Sequence, residues 1–132
     1  FLTNIDRTVK NTNMLIWHRE LWLIDHGATL FFHHSWDNWE KHAISPFAFV
    51  KEHVLLSQAS KLEEAHLELR ALFTDEILKE VVELIPMDWL QWKDSELSAE
   101  EIKDIYFQFL SRRLAHSEIF IKEAINARKV LI

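Results

Sequence analysis

Asp6-Arg7-Thr8-Val9-Lys10-Asn11 sets a carboxylate and a carboxamide five residues apart, and Asp25-His26-Gly27 brings a second carboxylate. These are oxygen donors of the kind that phosphoryl transfer uses. Such chemistry asks little covalent help of a protein: one carboxylate to orient an acceptor hydroxyl, and hard oxygen ligands for magnesium on the transferred phosphate. Asp6 suits the first task, and Asn11 and Asp25 suit the second. Arg7 or Lys10 supplies positive charge to the group in transit. His26, next to Asp25, either meets phosphate or stands in for an aromatic ring. Taken alone the Asp-x4-Asn spacing is a weak pattern, because Asp, Arg and Asn in a turn also serve simply to cap local backbone.

The elements between these residues add weight. Asn13-Met14-Leu15-Ile16-Trp17 and Glu20-Leu21-Trp22-Leu23-Ile24 are short apolar runs around His18-Arg19. Their length and aromatic content predict two strands joined by a tight turn. A turn centred near Arg19 sets Asn13 opposite Asp25 and Asn11 just beyond the hairpin mouth. The unbroken hydrophobicity predicts burial on both faces of the hairpin, with Trp17 packing across the strands on Trp22. Residues 28–57 carry no clean period and read as a long ordered aromatic, His-rich loop with one short helix near Trp36 to His42. Helical scaffold follows over 58–132. Ser60 to Leu72 stripes Leu62, Ala65, Leu69 and Phe73, with His66 on the same face. Thr74 caps a helix burying Ile77, Leu78, Val81, Val82 and Ile85 and stopped by Pro86. Ser98 and Glu101 form a capping box for a helix burying Ile102, Ile105, Tyr106, Phe109 and Leu114. Ser117 is expected to cap a last helix, with Ile121, Ala124 and Ile125 inward.

With 132 residues, 48% of them hydrophobic, one Gly and two Pro, the chain predicts a single, mainly α domain with a small β-hairpin. No apolar run reaches the roughly 18 residues of a membrane span, and the N-terminal residues have no signal-peptide pattern. The lack of Cys suits a reducing compartment, so the expected location is cytoplasmic. Residues 63–104 hold thirteen acids against four bases, which disfavours a nucleic-acid groove over most of the surface. Four His between residues 33 and 53 raise a transition-metal alternative, although no HExxH or i,i+4 His pair occurs. For Trp36 and Trp39 the alternatives are core packing and substrate contact.

Asn4-Ile5-Asp6-Arg7-Thr8-Val9-Lys10-Asn11, the hairpin and Leu23-Ile24-Asp25-His26-Gly27 together resemble the catalytic loop and metal-binding Asp segment of the protein-kinase-like superfamily. The chain most resembles the HipA-like kinases, in particular a smaller bacterial branch. Leu21-Trp22-Leu23-Ile24-Asp25-His26-Gly27-Ala28, Phe32-His33-His34 and Arg112-Arg113-Leu114-Ala115 leading into Phe120-Ile121 carry that likeness over most of the chain. The resemblance implies the C-terminal lobe of an α+β kinase fold, with Asp6 as base and Asn11 and Asp25 as magnesium ligands. It also implies ATP as phosphoryl donor and a hydroxyl acceptor, by family habit a protein Ser or Thr. Two features depart from the pattern: Thr8 stands where many relatives have His, and these residues include no Gly-rich loop or phosphate-binding Lys. Phe1-Leu2-Thr3-Asn4-Ile5 reads as the tail of a preceding segment, so the expected partner is an N-terminal lobe. The alternatives are a non-catalytic kinase-like relative and a helical interaction or regulatory module.

Overall fold

The computed structural model describes residues 1–91 and 96–132. Two antiparallel strands, β1 (Met14–Trp17) and β2 (Glu20–Leu23), form the single sheet among them. The helices are α1 (Trp39–Ala43), α2 (Leu62–Leu72), α3 (Asp75–Glu83), α4 (Ala99–Ala115) and α5 (Ser117–Leu131). The fold is mainly helical with one small hairpin. Three short 3-10 turns over Phe31–His34, Ala48–Glu52 and Leu56–Gln58 organise the segment expected as loop. None of the described helices is long and apolar enough to cross a membrane.

The core forms where α4 meets α1 and α3. Ile102 and Phe109 of α4 are fully buried, and Leu78 and Val82 of α3 close over them. Phe32 stacks on Phe109 at 4.1 Å and meets Tyr106 edge-on at 5.8 Å, so the segment after Asp25 is anchored by aromatic contact. Trp36 and Trp39 both pack against this core. The capping box is present in full: Ser98 Oγ accepts from Glu101 N at 3.2 Å, and Glu101 Oε2 accepts from Ser98 N at 2.8 Å. Thr74 Oγ1 accepts from Ile77 N and starts α3.

Arg113 is the largest fully buried side chain. Its Nε donates to Phe1 O at 2.6 Å, and its Nη1 fans over the carbonyls of His42, Ala43 and Ser45 at 3.2–3.3 Å. One guanidinium thus satisfies the carbonyl end of α1 and ties it and the first residues to α4. The Phe120 ring lies 4.6 Å from the guanidinium carbon, and burial brings its pKa down to about 10.

Four expectations need correction. Of the residues expected to be buried by α3, Ile77 and Val81 are 40% and 50% exposed, and Leu78 and Val82 are the ones that turn fully inward. The hairpin is not buried on both faces: Ile16, Trp17, Leu21 and Leu23 are each at least half exposed. A continuous apolar run marks surface that wants cover, not surface already covered. The register is one residue tighter than expected, with Met14 facing Leu23 and Ile24 N donating to Asn13 O at 2.9 Å. His18 and Arg19 form the two-residue turn, both with positive φ, the arrangement that matches strand twist. Asn13 therefore lies opposite Ile24, not Asp25. Ser117 is not a cap. His116 breaks the helix, and buried Ser117 lies 2.8 Å from His66 Nε2. That contact also gives His66 its polar partner on the α2 face.

Candidate functional site

The loop from Asp6 to Asn11 is closed by its own residues. Thr8 N donates to Asn11 O at 2.9 Å, and Asn11 N donates to Thr8 Oγ1 at 3.2 Å. Val54 N donates to Arg7 O at 2.9 Å, and Thr8 bridges His53, so the loop is pinned to the middle of the chain.

Asp6 and Asn11 meet directly. Asn11 Nδ2 donates to Asp6 Oδ2 at 2.8 Å, and Asn13 Nδ2 donates to the same oxygen at 3.1 Å. Asn13 Nδ2 is also 3.5 Å from the carbonyl of Asp25, the long edge of a hydrogen bond. One carboxamide at the hairpin base thus lies between the two acidic segments. Asp6 Oδ1 has no hydrogen-bond partner among the described residues. Asp25 is exposed with φ 49°, and its Oδ1 accepts from Gly27 N at 3.3 Å. A Cβ on Gly27 would meet that oxygen at 3.4 Å, an ordinary contact.

Arg7 and Lys10 go separate ways. Arg7 is 8% exposed and donates Nη1 to Asn13 O at 2.6 Å, so its charge holds the hairpin base and does not face open solvent. Lys10 and His26 are exposed. Asn13 and Asn4 are site residues that the motif spacing did not single out. Asn4 Oδ1 accepts from Asp6 N at 2.9 Å, and Asn4 Nδ2 donates to Thr29 Oγ1 at 2.8 Å. Their carboxamides, within seven residues of Asp6, were the signal available in the sequence.

Beyond Thr29 opens a cleft of about 740 Å³ whose walls include His26, Thr29, His33, Trp36, Trp89 and Tyr106. His33 Nδ1 is 3.1 Å from the Tyr106 hydroxyl. Burial, and then the neighbouring His34, push the His33 pKa below its usual 6.5. Among the described residues no three His, Asp or Glu side chains converge as a metal-binding group. Magnesium could instead draw on amide oxygen and water as well as carboxylate.

No family model, curated protein or solved structure matches this chain.

Proposed function

We propose that these residues form the C-terminal lobe of an ATP- and Mg²⁺-dependent phosphotransferase of the HipA-like kind, acting on a hydroxyl of a protein Ser or Thr. The observation that carries the reading is the shared hydrogen-bond set of Asp6, Asn11 and Asn13, reaching the Asp25 carbonyl. The hairpin register brings Asn13 to the Asp25 backbone, and the bonds of Asn11 and Asn13 to Asp6 Oδ2 join the Asp6 loop to that hairpin base.

The donor chemistry fits magnesium: Asp25 and the Asn11 amide oxygen are hard ligands, and Asp6 contacts Asn11. Bound there, the ion would neutralise charge on the phosphate oxygens during transfer. Asn11 and Asn13 fix the Asp6 carboxylate through Oδ2, which leaves Oδ1 to accept a proton. Asp6 takes the acceptor's hydroxyl proton as the new O–P bond forms and the bond to ADP breaks. Arg7 acts in this reading through position, by holding the Asn13 carbonyl, and Lys10 is exposed where it can meet phosphate.

Asp6→Asn in the complete protein should lower kcat by about 10²–10⁴-fold while ATP binding stays near wild type. Asp25→Asn should also raise the magnesium concentration needed for half-maximal rate. Wild-type rates for both variants across a magnesium titration would end the enzymatic reading. The exposed apolar hairpin favours a second reading, a kinase-like interaction module. Metal-dependent ATP binding with no turnover on any acceptor would favour it.

A further inference from the structure

The cleft beyond Thr29 is physically continuous with the Asp6 loop. A single side chain, Asn4, accepts from Asp6 N and donates to Thr29 Oγ1, so two hydrogen bonds join the loop to the cleft wall. His26, on the same wall, directly follows Asp25, and Thr29 N donates to His26 O at 2.9 Å to close the turn between them. The cleft wall therefore begins one residue after Asp25 and is tied through Asn4 to the Asp6 backbone.

Its chemistry is narrow. None of the described lining residues is Asp, Glu, Lys or Arg. The His33–Tyr106 contact engages the phenol hydroxyl, and the Tyr106 ring packs on Phe32, His33 and Trp36 as the floor of the cleft. Trp89 is 74% exposed at the cleft. An entering ammonium would lose water and meet no acid among the described lining residues, and an entering carboxylate would meet only imidazoles. A flat apolar ring would gain face and edge contacts with indole and imidazole. The volume lies within the range of small-molecule sites and has room for one large side chain with its flanking backbone.

Resting on the phosphotransferase reading, we propose that this cleft selects the acceptor. It takes the uncharged aromatic side chain of a Phe, Tyr or Trp next to the phosphorylated Ser or Thr of a protein substrate. Trp89 is the main specificity determinant, and Thr29 and Asn4 set the distance from the aromatic pocket to Asp6.

The test uses the complete protein with labelled ATP, Mg²⁺ and a set of Ser peptides differing only in the neighbouring residue: Trp, Phe, Ala, Asp or Lys. Aromatic-flanked peptides should exceed Asp- and Lys-flanked ones by about tenfold or more in kcat/KM. Trp89→Ala should erase that preference through KM, and Trp89→Phe should restore it; circular dichroism confirms that each variant folds. In parallel, N-acetyl-tryptophanamide should shift the His26 and His33 imidazole resonances, and N-acetyl-lysinamide should not. Equal rates on all five peptides would overturn the specificity while leaving phosphotransfer intact. Imidazole shifts without phosphorylation of any peptide, ATP binding being normal, would overturn the acceptor role and identify a small-molecule or regulatory pocket. Loss of ATP binding itself would instead overturn the phosphotransferase reading.

Discussion

Asp6 gives one carboxylate oxygen to two carboxamides and keeps the other bare, and Asn13 is the donor that also reaches the Asp25 segment. Asn13 has φ 45°, so Ala there would add backbone strain to the loss of the amide. Asn13→Gly separates the two, because Gly accepts that conformation freely. We expect Asn13→Gly to lower kcat about tenfold with little change in ATP affinity; unchanged kcat would mean the bridge positions nothing. The imidazoles give a pH prediction. Burial, followed by His34 for His33 and by Arg7 for His53, lowers both pKa values below 6.5. Below that pH the unfolded chain binds more protons than the fold, so stability falls as pH passes from 6.5 toward the folded-state values. His53 Nδ1 also accepts from Leu55 N at 3.2 Å, a bond lost on protonation at that nitrogen. The melting temperature should hold above about pH 7 and decline between about 6.5 and 5, before ordinary carboxylates titrate. A flat melting temperature across that window would refute it.

At the scale of elements, helix starts were legible because they are local. Thr74 and the Ser98–Glu101 box act through hydrogen bonds within four residues, which sequence spacing specifies. Ser98→Ala should cost about 1 kcal/mol, read as a drop of about 4 °C in melting temperature. No drop would mean that α4 is held by packing alone. Ser117 was illegible for the opposite reason: its partner is His66, fifty-one residues away. Arg113 likewise gave no sign of burial, since Arg almost always lies at the surface. The carbonyls of Phe1, His42, Ala43 and Ser45 make it a structural hub. Arg113→Met keeps the stem but abandons those four acceptors, and should destabilise by about 3 kcal/mol or more in denaturant titration. A loss under about 1 kcal/mol would show the carbonyls to be satisfied by water.

At the scale of the molecule, the helical body buries its own core while the hairpin stands largely uncovered. Ile16 is 71% exposed and Trp17 57%. A two-stranded hairpin is marginal alone; the T-shaped contact of Trp17 with Trp22 at 5.5 Å and the Arg7–Asn13 bond hold it together. Apolar surface of this kind drives association. The 132-residue chain should therefore self-associate in sedimentation, and Ile16→Lys with Leu21→Lys should return it to monomer. On the proposed phosphotransferase reading it should bind ATP weakly, because one lobe alone forfeits much of the roughly 7–11 kcal/mol that positioning can supply. Micromolar ATP binding by this chain alone would mean that the nucleotide site is complete within it.

The sequence by itself determined the mainly helical class, the hairpin, the Thr74 and Ser98 caps and the nearness of Asp6 to Asn11. Each depends on residue periodicity or on hydrogen bonds across a few positions. Only the tertiary structure decided that Asn13 joins the acidic segments, that Asn4 ties Asp6 to the aromatic cleft, that Arg7 and Arg113 turn inward, and that the hairpin stays exposed. Those outcomes depend on partners distant along the chain and on a one-residue choice of register. Composition does not encode either one: the same Leu, Ile and Trp make a buried strand or a bare one, according to what lies against them.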